Sequence, residues 1–133
     1  MPILWTSSMS VGNKIVDSDH QKLFKLINIV EEELNSEKKE NIENALRELE
    51  NYTEEHFTRE EALMKLGSYS GHFQHFKKHH NLKNQLKIIK KDILNDLNNP
   101  KNYDNLIEVL RKWLLDHVLV EDLKMRPYYK KLI

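Results

Sequence analysis

The sequence predicts an all-α protein: an up-down-up-down four-helix bundle behind a short N-terminal arm. Three observations lead there. The 133 residues include only three Gly and three Pro, against an average usage of about 12% for the two together. Those six residues fall at joints: Pro2 and Gly12 in the arm, Gly67 and Gly71 around one turn, Pro100 at another, Pro127 near the C-terminus. Between the joints, apolar residues recur with a helical period and do not alternate as in a strand.

Residues 1–17 read as the arm and 18–133 as the bundle with a short tail, together one domain over 1–133. Asp17 or Ser18 can cap the first helix by accepting from its free N–H groups, and its stripe runs Leu23, Phe24, Ile27, Val30, Leu34. The polar run NSEKKEN interrupts it. Asn41 can cap a second helix with the stripe Ile42, Ala45, Leu46, Leu49, Thr53, His56, Glu60, Leu63, Met64, which stops at Gly67. Ser70 can cap a third, carrying His75, His79, Leu82, Leu86, Ile89, Ile93 and Leu97 on one face. After the loop NNPKNYD, a fourth presents Leu106, Leu110, Trp113, Leu114, His117 and Asp122. Short connections between long helices make sequential neighbours antiparallel.

Composition excludes several functions. With no cysteine there is no disulfide framework and no thiolate metal site. The 21 basic and 21 acidic side chains cancel, whereas nucleic-acid or anionic-membrane partners call for a basic surplus. No apolar run of about 18 residues exists to span a bilayer. The N-terminal MPILWTSSMS has neither the basic start nor the apolar length of a signal peptide. The expected setting is cytoplasmic.

The informative residues are polar ones inside apolar stripes. His56 and Glu60 stand four apart and share a helix face, as do His75 and His79. His117 and Asp122 are five apart, about 140° around a regular helix, so both reach one pocket only if its centre lies between them. Counting from the first loop near residue 38, His20 and His56 are each about 17 or 18 residues away, a rise of about 26 Å. Counting from the loop near residue 100, His79, His117 and Asp122 lie about 17 to 22 residues away, at a matching height. His20, His56, Glu60, His75, His79, His117 and Asp122 therefore converge on one layer. Each unpartnered polar group buried there costs about 1–3 kcal/mol, and a carboxylate costs more. In a domain whose net stability is about 10 kcal/mol, a bound metal resolves that cost.

Seven donors exceed what one ion takes, since zinc accepts about four and octahedral iron about six. Two octahedral ions offer about twelve positions. Five imidazoles, two bridging carboxylates and one bridging oxo or hydroxo group occupy about eleven, leaving one open to a small molecule. Carboxylate-built di-iron sites carry Glu-x-x-His, and zinc proteases carry HExxH; neither occurs here. Neutral imidazoles leave high-valent iron less charge-compensated than carboxylates would, which favours reversible binding over substrate oxidation.

Trp5, IVDSDH ending at His20, HFTREEALM from His56, His75 with His79, and WLLDHVLVED together resemble hemerythrin, and within that family the stand-alone bacterial form, over essentially the whole chain. The resemblance implies a non-heme pair of iron ions, oxo- or hydroxo-bridged, that binds dioxygen reversibly. By motif, it puts His75, His79 and His117 on one iron, His20 and His56 on the other with the open position, and Glu60 and Asp122 as bridges. His72 and His80 are bystanders. Where family members often carry Tyr three residues after the bridging Asp, this sequence has Met125, which bears on how tightly the pocket is sealed. Phe24, Phe57, Leu114 and Val118 flank ligand positions and are expected to keep water out. Trp5 and Trp113 are assigned to packing. No residue is assigned a catalytic role: the expected function is oxygen carriage, storage or scavenging, with peroxide or nitric oxide reduction, or redox signalling, as the alternatives.

Overall fold

A computed structural model describes residues 3–36, 38–67 and 69–129. Four long helices form the bundle: α1 (Lys14–Ser36), α2 (Lys39–Leu66), α3 (His72–Asn95) and α4 (Tyr103–Asp116). The chain continues from α4 through a π-helical turn (His117–Glu121) and a 3-10 turn (Asp122–Met125) into a short α5 (Arg126–Tyr129). The all-α expectation holds.

Helix starts differ from those expected at the caps. α1 begins before Asp17, because Gly12 adopts a left-handed φ of 80° and turns the chain so that Asn13 becomes the cap. The Asn13 side chain accepts from the backbone N–H of Ile15 at 2.9 Å and of Val16 at 3.2 Å. The arm thus ends at residue 13. Asp17 instead holds the arm down, accepting from Ser10 Oγ at 2.5 Å and Val11 N at 2.9 Å. α2 starts at Lys39 behind an extended Lys38 that makes no side-chain cap, so Asn41 lies within the first turn. Burial of Ile42, Ala45 and Leu46 fixes this end without a cap. α3 starts at His72 behind Gly71, with no cap from Ser70. Gly71 is there for room: a Cβ would stand 2.6 Å from the Tyr69 ring.

The core has two parts. The larger contains Leu23 to Leu34 of α1, Ile42 to Leu49 of α2, Leu86 to Ile93 of α3 and Tyr103 to Val118. It fills the end bounded by the first and third loops. The smaller comprises Val11, Val16, Met64, Met125 and Tyr129 at the opposite end. Trp113 is buried and donates its indole N–H to Leu82 O at 3.0 Å, tying α4 to α3. Trp5 packs at the edge of the larger core. Arg126 clamps the C-terminal segment to the arm through Ser8 O and Ser10 O. Among the described residues, no helix is long and apolar enough to cross a membrane.

Candidate metal centre

Between the two cores lies a polar layer. His20 from α1, His56 and Glu60 from α2, His75 and His79 from α3, and His117 and Asp122 from the π turn are all buried. A regular helix would leave His117 and Asp122 about 140° apart. The π turn removes that offset: the Asp122 N–H bonds back to His117 O, an i to i+5 link that brings residues five apart into register. The sequence reading treated this stretch as ordinary helix; the extra residue per turn is what completes the layer.

All five imidazoles face inward through Nε2. Glu60 is the hub, with His75 Nε2 at 2.6 Å, His79 at 3.1 Å, His56 at 3.3 Å, His20 at 3.9 Å and His117 at 4.0 Å. Its oxygens are divided: Oε1 faces His75 and His79, and Oε2 faces His20 and His56. Asp122 is divided likewise, with Oδ1 toward His75 at 3.1 Å and Oδ2 toward His20 at 2.6 Å and His117 at 2.8 Å. Yet His56 Nε2, His117 Nε2, Glu60 Oε2 and Asp122 Oδ1 make no hydrogen bond. These four buried polar atoms are left without a partner inside the layer, a shortfall that a bound cation would make good.

Two overlapping donor sets result, each with ligand atoms within 4.8 Å of one another: His20, His56, Glu60, His117, Asp122, and Glu60, His75, His79, His117, Asp122. The carboxylates and His117 are common to both. Nitrogen and oxygen donors of this kind suit iron or other borderline first-row ions. The donor set thus fits a pair of cations, with one oxygen of each carboxylate available per ion.

The electrostatics describe a site assembled for charge. Burial alone would lower the His56 pKa, but the charge of Glu60 and contacts with Asp122 and Asp19 raise it to about 10. His75 is raised against burial to about 9 by Asp122 and Glu60. His79 goes the other way, pushed by burial to about 4. Burial opposes ionisation of Glu60 and Asp122, yet the surrounding imidazoles hold both below the ordinary carboxylate range. Metal uptake must displace the protons that these charges retain.

Packing fixes the rings. Phe57 stacks on His79 with centroids 4.0 Å apart and meets His117 edge-on at 5.1 Å. Phe24, Leu114 and Val118 are buried with it. A groove lined by Lys78, Leu82, Gln85, Val120 and Glu121, about 520 Å³ in volume, reaches His117. The Lys78–Glu121 ion pair, 2.6 Å long, spans it. At the other end Met125 is fully buried beside Met64 and Tyr129, so the absence of Tyr at position 125 leaves no opening. His72 is half-buried and His80 exposed, and neither enters a donor set.

Sequence reasoning missed Asp19, Arg59 and Tyr52. Asp19 is buried and accepts from Arg59 Nε at 2.9 Å, Arg59 Nη2 at 2.7 Å and Tyr52 Oη at 2.8 Å. Its Oδ2 also lies 3.1 Å from His56 Nδ1. A signal existed: Asp19 stands three after Val16 and four before Leu23, on the buried stripe. Tyr129 was missed as well; it is fully buried with no partner for its hydroxyl.

Fold and layer together define a metal-binding helical bundle in which four antiparallel segments share one buried cation site. Residues 11–129 match the family model of the hemerythrin HHE cation-binding domain, and the chain belongs to that family. It is 29% identical to a hemerythrin-like protein of Naegleria gruberi, over 94% of this chain and 92% of that one. It is 27% identical to hemerythrin of Themiste dyscrita over the same shares. Identity to a bacteriohemerythrin of Clostridium acetobutylicum is 25%, over 90% and 95% of the two chains. A wild-type hemerythrin crystal structure superposes with a TM-score of 0.80 at 19% identity, covering 98% of this chain and 99% of that one.

Proposed function

We propose that this protein binds dioxygen reversibly at a non-heme di-iron centre, oxo- or hydroxo-bridged, as a carrier, store or scavenger. One iron takes His75, His79 and His117, the other takes His20 and His56, and Glu60 and Asp122 bridge. The observation that carries this reading is the division of Glu60, whose Oε1 faces His75 and His79 and whose Oε2 faces His20 and His56. His117 belongs to both sets; its ring lies nearer that of His79, at 5.2 Å, than that of His56, at 5.7 Å. In this reading His117 would join His75 and His79, and the ion beside His20 and His56, with fewer imidazoles, would be the one left open to a small molecule.

When bound, the iron pair supplies the electrons that dioxygen accepts on binding. The chain does the rest. The division of Glu60 and Asp122 fixes the spacing of the two positions, and Phe57 locks the His79 ring plane. Phe24, Leu114 and Val118 keep the layer dry, which withholds the protons and solvation that irreversible iron oxidation needs. Tyr129 is held in its neutral form by burial and by the charges of Glu60 and Asp122.

The test is an optical titration of the anaerobic ferrous protein with oxygen, followed by vacuum. Two irons per chain and a visible charge-transfer absorption that appears and then disappears are expected. A ferrous protein that stays colourless in oxygen would sink the reading. Steady consumption of peroxide or nitric oxide with a reductant would replace it with an enzymatic one.

A further inference from the structure

The two donor sets are not buttressed alike. Nδ1 of His20, His79 and His117 is buried with no hydrogen-bond partner, and His79 Nδ1 comes no closer than 3.7 Å to Glu61. His56 Nδ1 meets a buried carboxylate, Asp19 Oδ2, at 3.1 Å. That carboxylate is itself fixed in plane by a two-point clamp from Arg59 and by the Tyr52 hydroxyl. His56 belongs to the set with His20 and is absent from the set with His75 and His79.

A carboxylate on the outer nitrogen of a ligating imidazole does two things. It keeps the proton on Nδ1, which leaves the Nε2 lone pair free for the metal. It also makes the ring a stronger donor by drawing that proton outward. The position beside His20 and His56 has fewer imidazoles than its neighbour in the reading proposed above, so it gains most from a stronger donor. We infer that Asp19 is a positioning residue that acts on one cation position only: through His56 it raises the affinity of the His20–His56 position for a divalent ion and leaves the His75–His79 position unchanged. Arg59 and Tyr52 serve this by holding the carboxylate against the ring. The inference rests on the two-ion reading but not on oxygen binding.

A strut between α1 and α2 is the competing role, because Asp19 also joins those helices through Arg59 and Tyr52. The roles separate when metal-free protein is titrated calorimetrically with Co2+, a probe that needs no oxygen. Wild-type protein takes up two equivalents. Asp19→Asn keeps an acceptor oxygen but loses the charge; one of the two events weakens about 10–100-fold and the other stays within error. Asp19→Glu restores part of the loss. Arg59→Gln, at a half-exposed side chain, weakens the same event less. Equal weakening of both events, or no change in either, overturns the inference and leaves the two-ion site standing. A wild-type protein that binds fewer than two equivalents overturns the two-ion reading, and this inference with it.

Discussion

The two ends of the bundle are built on different terms. Toward the first and third loops, Leu, Ile and Val from all four helices interlock in one continuous apolar core. Toward the other end, five buried residues, two of them Met and one a Tyr, close the bundle over the polar layer. The first end stabilises the fold by burying apolar surface, about 25 cal/mol per Å². The second is a plug, whose task is to shut solvent away from seven polar side chains. Apolar burial is concentrated away from the polar layer, which is placed between the core and the plug. Long helices make that division possible, since each carries both an apolar half and a donor at its polar height.

Breaking the hub should produce the largest effect. Glu60→Gln removes the charge that lies within 4.0 Å of all five imidazoles and the oxygen pair divided between the sets. Loss of two-ion binding is expected, exceeding the roughly 10–100-fold cost of an outer partner. Metal analysis after reconstitution reads it, while helix content by circular dichroism stays near wild type because the larger core is untouched. Retention of two tightly bound ions would contradict the bridging role. Next comes a cut in the apolar end. Leu46→Ala, at a buried position, should cost about 2–5 kcal/mol by cavity formation. Denaturant unfolding should give the same loss in metal-free and metal-loaded protein, whereas a layer variant such as Glu60→Gln should change the difference between them.

The layer also gives the metal-free protein a pH dependence that the apolar end cannot have. His56 and His75, raised to about 10 and about 9, hold protons in the folded state that the unfolded chain releases near pH 6.5. Their contribution is complete below about pH 6.5 and is lost as pH rises through about 9 to 10. His79, lowered to about 4, works oppositely and removes stability as pH falls from about 6.5 toward 4. The carboxylates, with lowered values, also lose their contribution in acid. Thermal unfolding of metal-free protein should therefore peak near pH 6.5 and decline on the alkaline side. Metal-loaded protein should lack the alkaline decline, because its ligands are already deprotonated. A metal-free curve that is flat from pH 6.5 to 10 would show that the imidazoles are neutral there.

The layer was legible in the sequence where chain geometry is regular. Equal counts from two loops place His20 beside His56, and His79 beside His117, because rise per residue is constant in a helix. His75 and His79 were separable from His72 by spacing and motif. Legibility failed where geometry is irregular or where a partner is distant in sequence. Nothing in HVLVED distinguishes a π turn from ordinary helix; the turn exists because both His117 and Asp122 must face the layer, a tertiary demand. The α1 start was misread because Asn13 follows a glycine whose left-handed backbone is visible only in three dimensions. Asp19 was passed over because its partners, Tyr52 and Arg59, lie 33 and 40 residues away.

The smallest predicted effect sits in the plug and separates its two possible roles. Tyr129 is fully buried, and its hydroxyl has no hydrogen-bond partner. An unsatisfied buried hydroxyl costs about 1–3 kcal/mol, so Tyr129→Phe, which keeps the ring and its packing against Met64 and Met125, should leave metal-free protein as stable or about 1 kcal/mol more stable. If the phenol is kept for the loaded state, the same variant should gain less from metal than wild type does. The comparison is one of differences: stabilisation by added metal in wild type minus that in Tyr129→Phe, from paired denaturant curves. A zero difference would mean that Tyr129 closes the bundle and nothing more. A positive difference would mean that the plug reaches into the layer, and the end that adds least to stability would then also tune the site.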